Sequence, residues 1–232
     1  MNVFLDLETI PDQTTGAIEK IAENLEVRPP STYNKPDYIK DLNLGEQGKY
    51  KTIPELKDLW VSELGESKRL EQAKEQWLKT SFNGGYGQIC CIGLATQEST
   101  ITTLTGSEAQ ILNDFNFMLK DVNTLTFVAH NKKFDLPFLF KRMVINGIEP
   151  SFLFDPHSKK HICTMELWEG FGGKVSLNDL AKQLGLKGKL EGMDGSQVWP
   201  EYQAGNVNKI AEYCADDVRL LREAYNKINF IM

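Results

Sequence analysis

Asn2-Val3-Phe4-Leu5-Asp6-Leu7-Glu8-Thr9 alternates with a period of two. Successive side chains of a strand point to opposite faces, so Val3, Leu5 and Leu7 share one face and Phe4, Asp6 and Glu8 the other. The two carboxylates therefore aim the same way. On the inner face of a first strand such a pair is an expensive feature, because buried charge must be compensated. Paired hard oxygen donors suit Mg²⁺ or Mn²⁺. Taken alone, Asp-x-Glu also describes a solvated strand end.

Outward from residues 2–9, strands alternate with helices. Residues 88–96, Gln-Ile-Cys-Cys-Ile-Gly-Leu-Ala-Thr, read as a buried strand, and 99–105, rich in Thr and Ile, as its neighbour. Ser107 opens a helix, with Gln110 completing a capping box and Ile111, Leu112, Phe115 and Leu119 forming its apolar stripe. Leu125–His130 reads as a strand and Phe134–Asn146 as a helix, with Pro137 tolerated in the first turn. Ser176–Leu184 is a short helix capped by Ser176 and stopped by Gly185, and the last helix runs from about Asn208 to Ile228. The pattern predicts a layered α/β domain. Residues 11–87 interrupt it with Pro29-Pro30, mixed charges, Trp60, Trp77 and a charged helix around 66–79. We expect one domain over 1–232, with an elaborated insertion at about 11–87.

The chain of 232 residues is 41% hydrophobic and 25% charged, ordinary for a globular protein. No apolar run approaches the ~20 residues of a membrane helix, so no membrane partner is expected. The start has no signal-peptide pattern, and four cysteines without a C-x-x-C pair read as reduced thiols rather than a zinc site. A cytoplasmic location is the expectation. A net charge of −6 argues against gripping long duplex through many phosphates, but not against holding one strand end.

Two more stretches carry chemistry. In His130-Asn131-Lys132-Lys133-Phe134-Asp135 a strand ends and a helix begins. Asp135 falls in the first helical turn, where it can serve as a ligand or simply favour the helix dipole. On the last helix Ile210, Cys214, Val218, Leu221, Tyr225 and Ile228 form one stripe at about 100° per residue. Asp217 lies roughly 50° from its centre and Asp216 roughly 150° away, so the wheel aims Asp217 at the core boundary and Asp216 at solvent. Tyr213 precedes Asp217 by one turn. Together Asp6, Glu8, Asp135 and Asp217 can hold two divalent ions about 4 Å apart around a scissile phosphate, one activating water and one stabilising the leaving oxygen. Tyr213 would orient that water.

Asp6-x-Glu8-Thr9, His130-Asn131-x-x-Phe134-Asp135 and Tyr213-x-x-x-Asp217 resemble the three exonuclease motifs of the DEDD superfamily, in its tyrosine-containing branch. Gln88-Ile-Cys-Cys-Ile-Gly, Ser176-Leu177…Leu184-Gly185-Leu186-Lys187-Gly188-Lys189 and Asp194-Gly195-Ser196-Gln197-Val198-Trp199 resemble the predicted stand-alone 3′–5′ exonucleases related to the proofreading domain of family B DNA polymerases. The resemblance covers residues 1–10 and most of 88–228. It implies a ribonuclease H-like fold with a central mixed five-stranded sheet flanked by helices. It also implies removal of nucleotides from the 3′ end of a nucleic acid with two Mg²⁺ or Mn²⁺ ions. Asp6, Glu8, Asp135 and Asp217 would be ligands and Tyr213 the water-orienting group. Thr9 and Ile10 would lie near the terminal nucleotide and Asn131 near its phosphate. Lys187 and Lys189 could touch the phosphate backbone, or be a solvated loop. Where relatives often carry an acidic pair, this chain has Cys163-Thr164. The expected substrate is single-stranded DNA. An RNA strand, a non-catalytic binding module and a related endonuclease remain alternatives, and oligomeric state is left open.

Overall fold

The computed structural model describes residues 1–120, 122, 124–189 and 192–231. Five strands form one sheet: β1 (Asn2–Ile10), β2 (Gln88–Ala95), β3 (Thr102–Thr105), β4 (Thr126–Ala129) and β5 (Ile162–Cys163), in the order β3-β2-β1-β4-β5. β2 is antiparallel to both β1 and β3, whereas β1, β4 and β5 run parallel. With helices flanking this mixed sheet, the fold is the α/β, ribonuclease H-like one expected.

The alternation in β1 explains why the sheet has two covered faces. Val3, Leu5 and Leu7 pack with α4 (Glu108–Met118) and α5 (Lys132–Ile145) through Ile111, Leu112, Phe115, Leu136 and Leu139. On the other face lie α7 (Leu177–Gln183), α8 (Val198–Gln203) and α9 (Val207–Ile228). Phe4 meets Val128, Leu177, Val218 and Leu221 there, and Ile10 meets Cys90, Cys91, Ile210 and Cys214. Each such buried side chain contributes about 1.5–3 kcal/mol. Asp6 and Glu8 share this second face.

Two details place those acids. Glu8 pairs with Cys91 but Thr9 with Ile89, leaving Cys90 as an extra residue on β2; such bulges re-aim neighbouring side chains. Asp6 pairs with Gly93, where a Cβ would stand 2.8 Å from Val218 Cγ2 and 2.9 Å from Cys214 Sγ. Glycine is thus what lets α9 lie so close to the acid-bearing strand.

Local boundaries differ from expectation in explicable ways. β3 starts at Thr102 because Thr96 and Ser99 exchange side-chain hydrogen bonds to each other's N–H groups and form a turn. α5 starts at Lys132, since the Asn131 carbonyl accepts the N–H groups of Phe134 and Asp135. Pro137 consequently lies inside the helix rather than in its first turn. Ser107 and Ser176 cap α4 and α7, Ser107 accepting the Gln110 N–H without the return bond from the Gln110 side chain that a capping box needs, and Gly185 ends α7 with φ +69°.

The chain divides into two compact units, Met1–Pro11 with Thr80–Met232, and Asp12–Lys79. The second contains α1 (Ala17–Glu23), α2 (Lys35–Asp41) and α3 (Ile53–Lys79). The charged helix expected at 66–79 is thus the end of a 27-residue helix. Trp60, Tyr38, Leu56 and Val27 form this unit's core, and Asp41 accepts hydrogen bonds from Trp60 Nε1 and the Tyr33 hydroxyl. Among the described residues no helix is long and apolar enough to cross a membrane.

Candidate active site

Strand β1 delivers Asp6 and Glu8, the first turn of α5 delivers Asp135, and the middle of α9 delivers Tyr213 and Asp217. Glu8, Asp135 and Asp217 are all buried, at 7%, 6% and 5% exposure. Ligand atoms of Asp6, Glu8 and Cys214 lie within 4.8 Å of one another. Burial raises the Asp6 carboxyl well above the usual range, and the like charges of Asp217 and Asp135 raise it further. Glu8 is raised by burial, then by Asp6 and Asp217. Burial pushes Asp135 up to about 7. Asp217 is also raised by burial, against the pull of Lys189. Carboxylates that raise one another's pKa in this way mark a place short of positive charge.

Lys189 supplies part of it. Its ammonium lies 2.6 Å from Asp217 Oδ2, donates to the Tyr213 hydroxyl at 2.9 Å and stands 4.8 Å from that ring's centroid. Burial works against its charge, but Asp217 and Tyr213 hold its pKa above the ordinary lysine value. A solvated loop position is thereby corrected: the Lys189 N–H is bonded to Asn178 Oδ1 on α7, which fixes the loop over α9. Lys187, two residues earlier, is exposed.

The other oxygen of Asp217, Oδ1, is buried and has no hydrogen-bond partner among the described residues. Leaving such an acceptor unsatisfied costs about 1–3 kcal/mol. An orphaned carboxylate oxygen beside acids that crowd one another, all hard oxygen donors, fits a divalent cation of the Mg²⁺ or Mn²⁺ type. The Cys214 thiol, missed in the sequence although it lies on the α9 stripe, sits beneath the acids and donates to Asp6 Oδ2 at 3.6 Å. A hydrogen bond with Cys91, burial and Asp6 hold it well above the usual thiol range, so it stays a neutral donor. Burial likewise raises Tyr213, which keeps its proton at neutral pH.

Two expectations need correction. Asp216 does not face solvent. It is 7% exposed and accepts from Arg219 Nε at 2.8 Å, because Arg219 also reaches the Gly188 carbonyl of the covering loop. Ile10 is 1% exposed and packs with Val198 and Ile210, so its side chain supports the site from beneath and cannot line a nucleotide pocket. Thr9 is half-buried, its hydroxyl donating to the Ser81 carbonyl at 2.8 Å. Asn131 is exposed at the head of α5. His130 is tied to Thr164 Oγ1 and the Val175 carbonyl, at 3.0 and 2.8 Å, as a structural polar residue would be.

A family model matches residues 85–220. The match takes in Asp135, Lys187, Lys189, Tyr213 and Asp217, while Asp6 and Glu8 lie before it. No curated protein matches the chain. With more than half its length covered, the chain belongs to the family of predicted 3′–5′ exonucleases related to the exonuclease domain of PolB.

Proposed function

We propose that the protein is a metal-dependent 3′–5′ exonuclease that removes nucleotides one at a time from the 3′ end of single-stranded or frayed DNA. The observation that carries this reading is the buried group of mutually repelling carboxylates with an unsatisfied Asp217 oxygen, in a chain of an exonuclease family.

Asp6, Glu8, Asp135 and Asp217 would hold two Mg²⁺ or Mn²⁺ ions, which when bound supply activation of water and stabilisation of charge on the scissile phosphate and its leaving oxygen. The chain's own groups do the rest. Tyr213, neutral and beside Asp217, accepts a hydrogen bond from the attacking water and orients it. That water's oxygen bonds to phosphorus, the bond to the 3′-oxygen of the preceding nucleotide breaks, and a 5′-mononucleotide leaves. The 3′-oxygen takes up a proton, so the shortened strand again ends in a hydroxyl. Lys189 balances Asp217 and steadies the Tyr213 hydroxyl, and its ammonium would meet a phosphate oxygen of the strand. The unit Asp12–Lys79 is then an insertion into a single exonuclease domain.

The test is a time course on 5′-labelled single-stranded DNA and matched RNA, with Mn²⁺, with EDTA, and with Asp217→Ala. A ladder shrinking from the 3′ end on DNA, abolished by EDTA and by the substitution, is expected. Equal rates on RNA would remove the sugar preference. Release of internal fragments, or no cleavage of either strand, would remove the exonuclease reading.

A further inference from the structure

The parallel strands place a second feature level with the acids. Phe4 is paired with Val128 and Ala129 with Cys163, so β4 and β5 end at Ala129 and Cys163 close to the level at which β1 carries Asp6. Open α/β sheets bind ligands at the carboxyl ends of such strands. Past the ends of β4 and β5 opens a cleft of about 470 Å³, lined by Asn131, Lys133, Cys163, Glu166, Lys174 and Ser176. Glu166 belongs to α6 (Thr164–Glu169). Two strand spacings of about 4.8 Å put this cleft roughly 10 Å from β1.

At its rim stands Phe171, 92% exposed. Gly170 and Gly172, with φ of +79° and +83°, hold the backbone on either side in the left-handed region and lift the ring outward. Lys133 Nζ lies 4.4 Å from the ring centroid and 2.5 Å from Glu166 Oε1. An outward aromatic face beside Lys133, with Lys174 in the same cleft, gives a protein of net charge −6 a local cationic and aromatic surface. It matches what single strands require: a ring for a base of any sequence to stack on, and cations for the backbone.

We propose that this cleft holds the nucleotides upstream of the 3′ terminus of a single strand, with Phe171 stacking on a base and Lys133 and Lys174 meeting the adjoining phosphates. This rests on the exonuclease reading for its direction along the strand, and assigns the substrate's second subsite. Glu166 holds Lys133 in place when the cleft is empty and yields it to phosphate.

The experiment measures binding of a labelled single-stranded DNA oligomer in EDTA by fluorescence anisotropy, for wild type, Phe171→Ala, Phe171→Trp and Lys174→Ala. Hydrolysis of the 4-nitrophenyl ester of thymidine 5′-phosphate with Mn²⁺ is measured alongside, because that single nucleotide does not extend into the cleft. Phe171→Ala is expected to weaken oligomer binding about tenfold, with Phe171→Trp restoring it. Lys174→Ala should weaken binding severalfold and flatten its salt dependence. All should hydrolyse the ester at the wild-type rate. Oligomer binding unchanged in both alanine variants, or ester hydrolysis falling in step with binding, overturns the proposal. If the variants lose binding while wild type cleaves neither substrate, the cleft stands and the exonuclease reading falls. If wild type cleaves both and the variants bind normally, the reverse holds.

Discussion

Two of the places where the main unit buries carboxylates are provided for very differently. Glu108, on α4, is paired with Arg142 of α5, with side chains only 8% and 7% exposed. Arg142 donates to both of its oxygens at 2.8 and 2.7 Å, the Ile89 N–H adds a third bond at 2.8 Å and Asn146 a fourth at 3.0 Å. That carboxylate lacks nothing, and it fastens β2 to two helices. At the end of β1, by contrast, Asp217 and Asp135 push against Asp6, Asp6 and Asp217 push against Glu8, Lys189 is bonded to Asp217, and one Asp217 oxygen has no hydrogen-bond partner among the described residues. A buried acid with every oxygen satisfied is architecture. Buried acids left short of donors mark where something positive is to be bound.

The contrast can be broken most forcefully at Asp6. Asp6→Asn should cost about a thousandfold in exonuclease rate, the several kcal/mol a bound cation supplies. The metal-free protein should meanwhile melt at a higher temperature than wild type, because one repelling charge is gone. A lower melting temperature in EDTA would mean that Asp6 is structural after all. Arg142→Ala should behave oppositely: urea unfolding should show a loss of about 3–5 kcal/mol, because Glu108 is left buried and alone, while the folded fraction cleaves normally. Tyr213→Phe should lower the rate about a hundredfold with cation affinity, measured by calorimetry, unchanged. Weakened cation binding would instead make the tyrosine a support for the ligands.

The smallest effect is a pH trend. The folded protein keeps the Asp135 proton between the ordinary 3.8 and about 7, where the unfolded chain has lost it. The stability this group contributes is full below the lower value and lost as pH rises through the upper one. In EDTA, melting temperature should therefore fall more steeply with rising pH for wild type than for Asp135→Asn. Saturating Mg²⁺ should flatten the difference. Identical slopes in EDTA would show that Asp135 titrates as an ordinary surface acid.

How much of this was readable beforehand follows from which forces are local. Period two in residues 2–9 assigns Asp6 and Glu8 to one face because a strand's geometry needs no knowledge of its neighbours. The α9 stripe turns Asp217 inward for the same reason. The wheel fails at Asp216 because it sees one helix and not the loop at Gly188 that Arg219 ties down over it. Lys189 reads as a loop lysine until the Asn178 contact brings the loop over Asp217. Ile10 looks like a lining residue in a motif, yet the core beneath the bulge claims it. Only the polar end of α3 was visible, since its buried residues Leu56, Trp60, Gly65, Ala73 and Trp77 are too sparsely spaced to make a stripe.

Cys214 touches Asp6 across 208 residues of chain, and everything in the candidate site depends on that closure. Contacts so distant in sequence form late and slowly. A molecule whose α9 has not yet docked still carries the acids of β1 and α5, but lacks Asp217, Tyr213 and the helix that crowds the others together. On the exonuclease reading, half-made and partly unfolded copies cannot cut, so cleavage reports completed folding, and harm to nucleic acid by immature protein is avoided without any inhibitor.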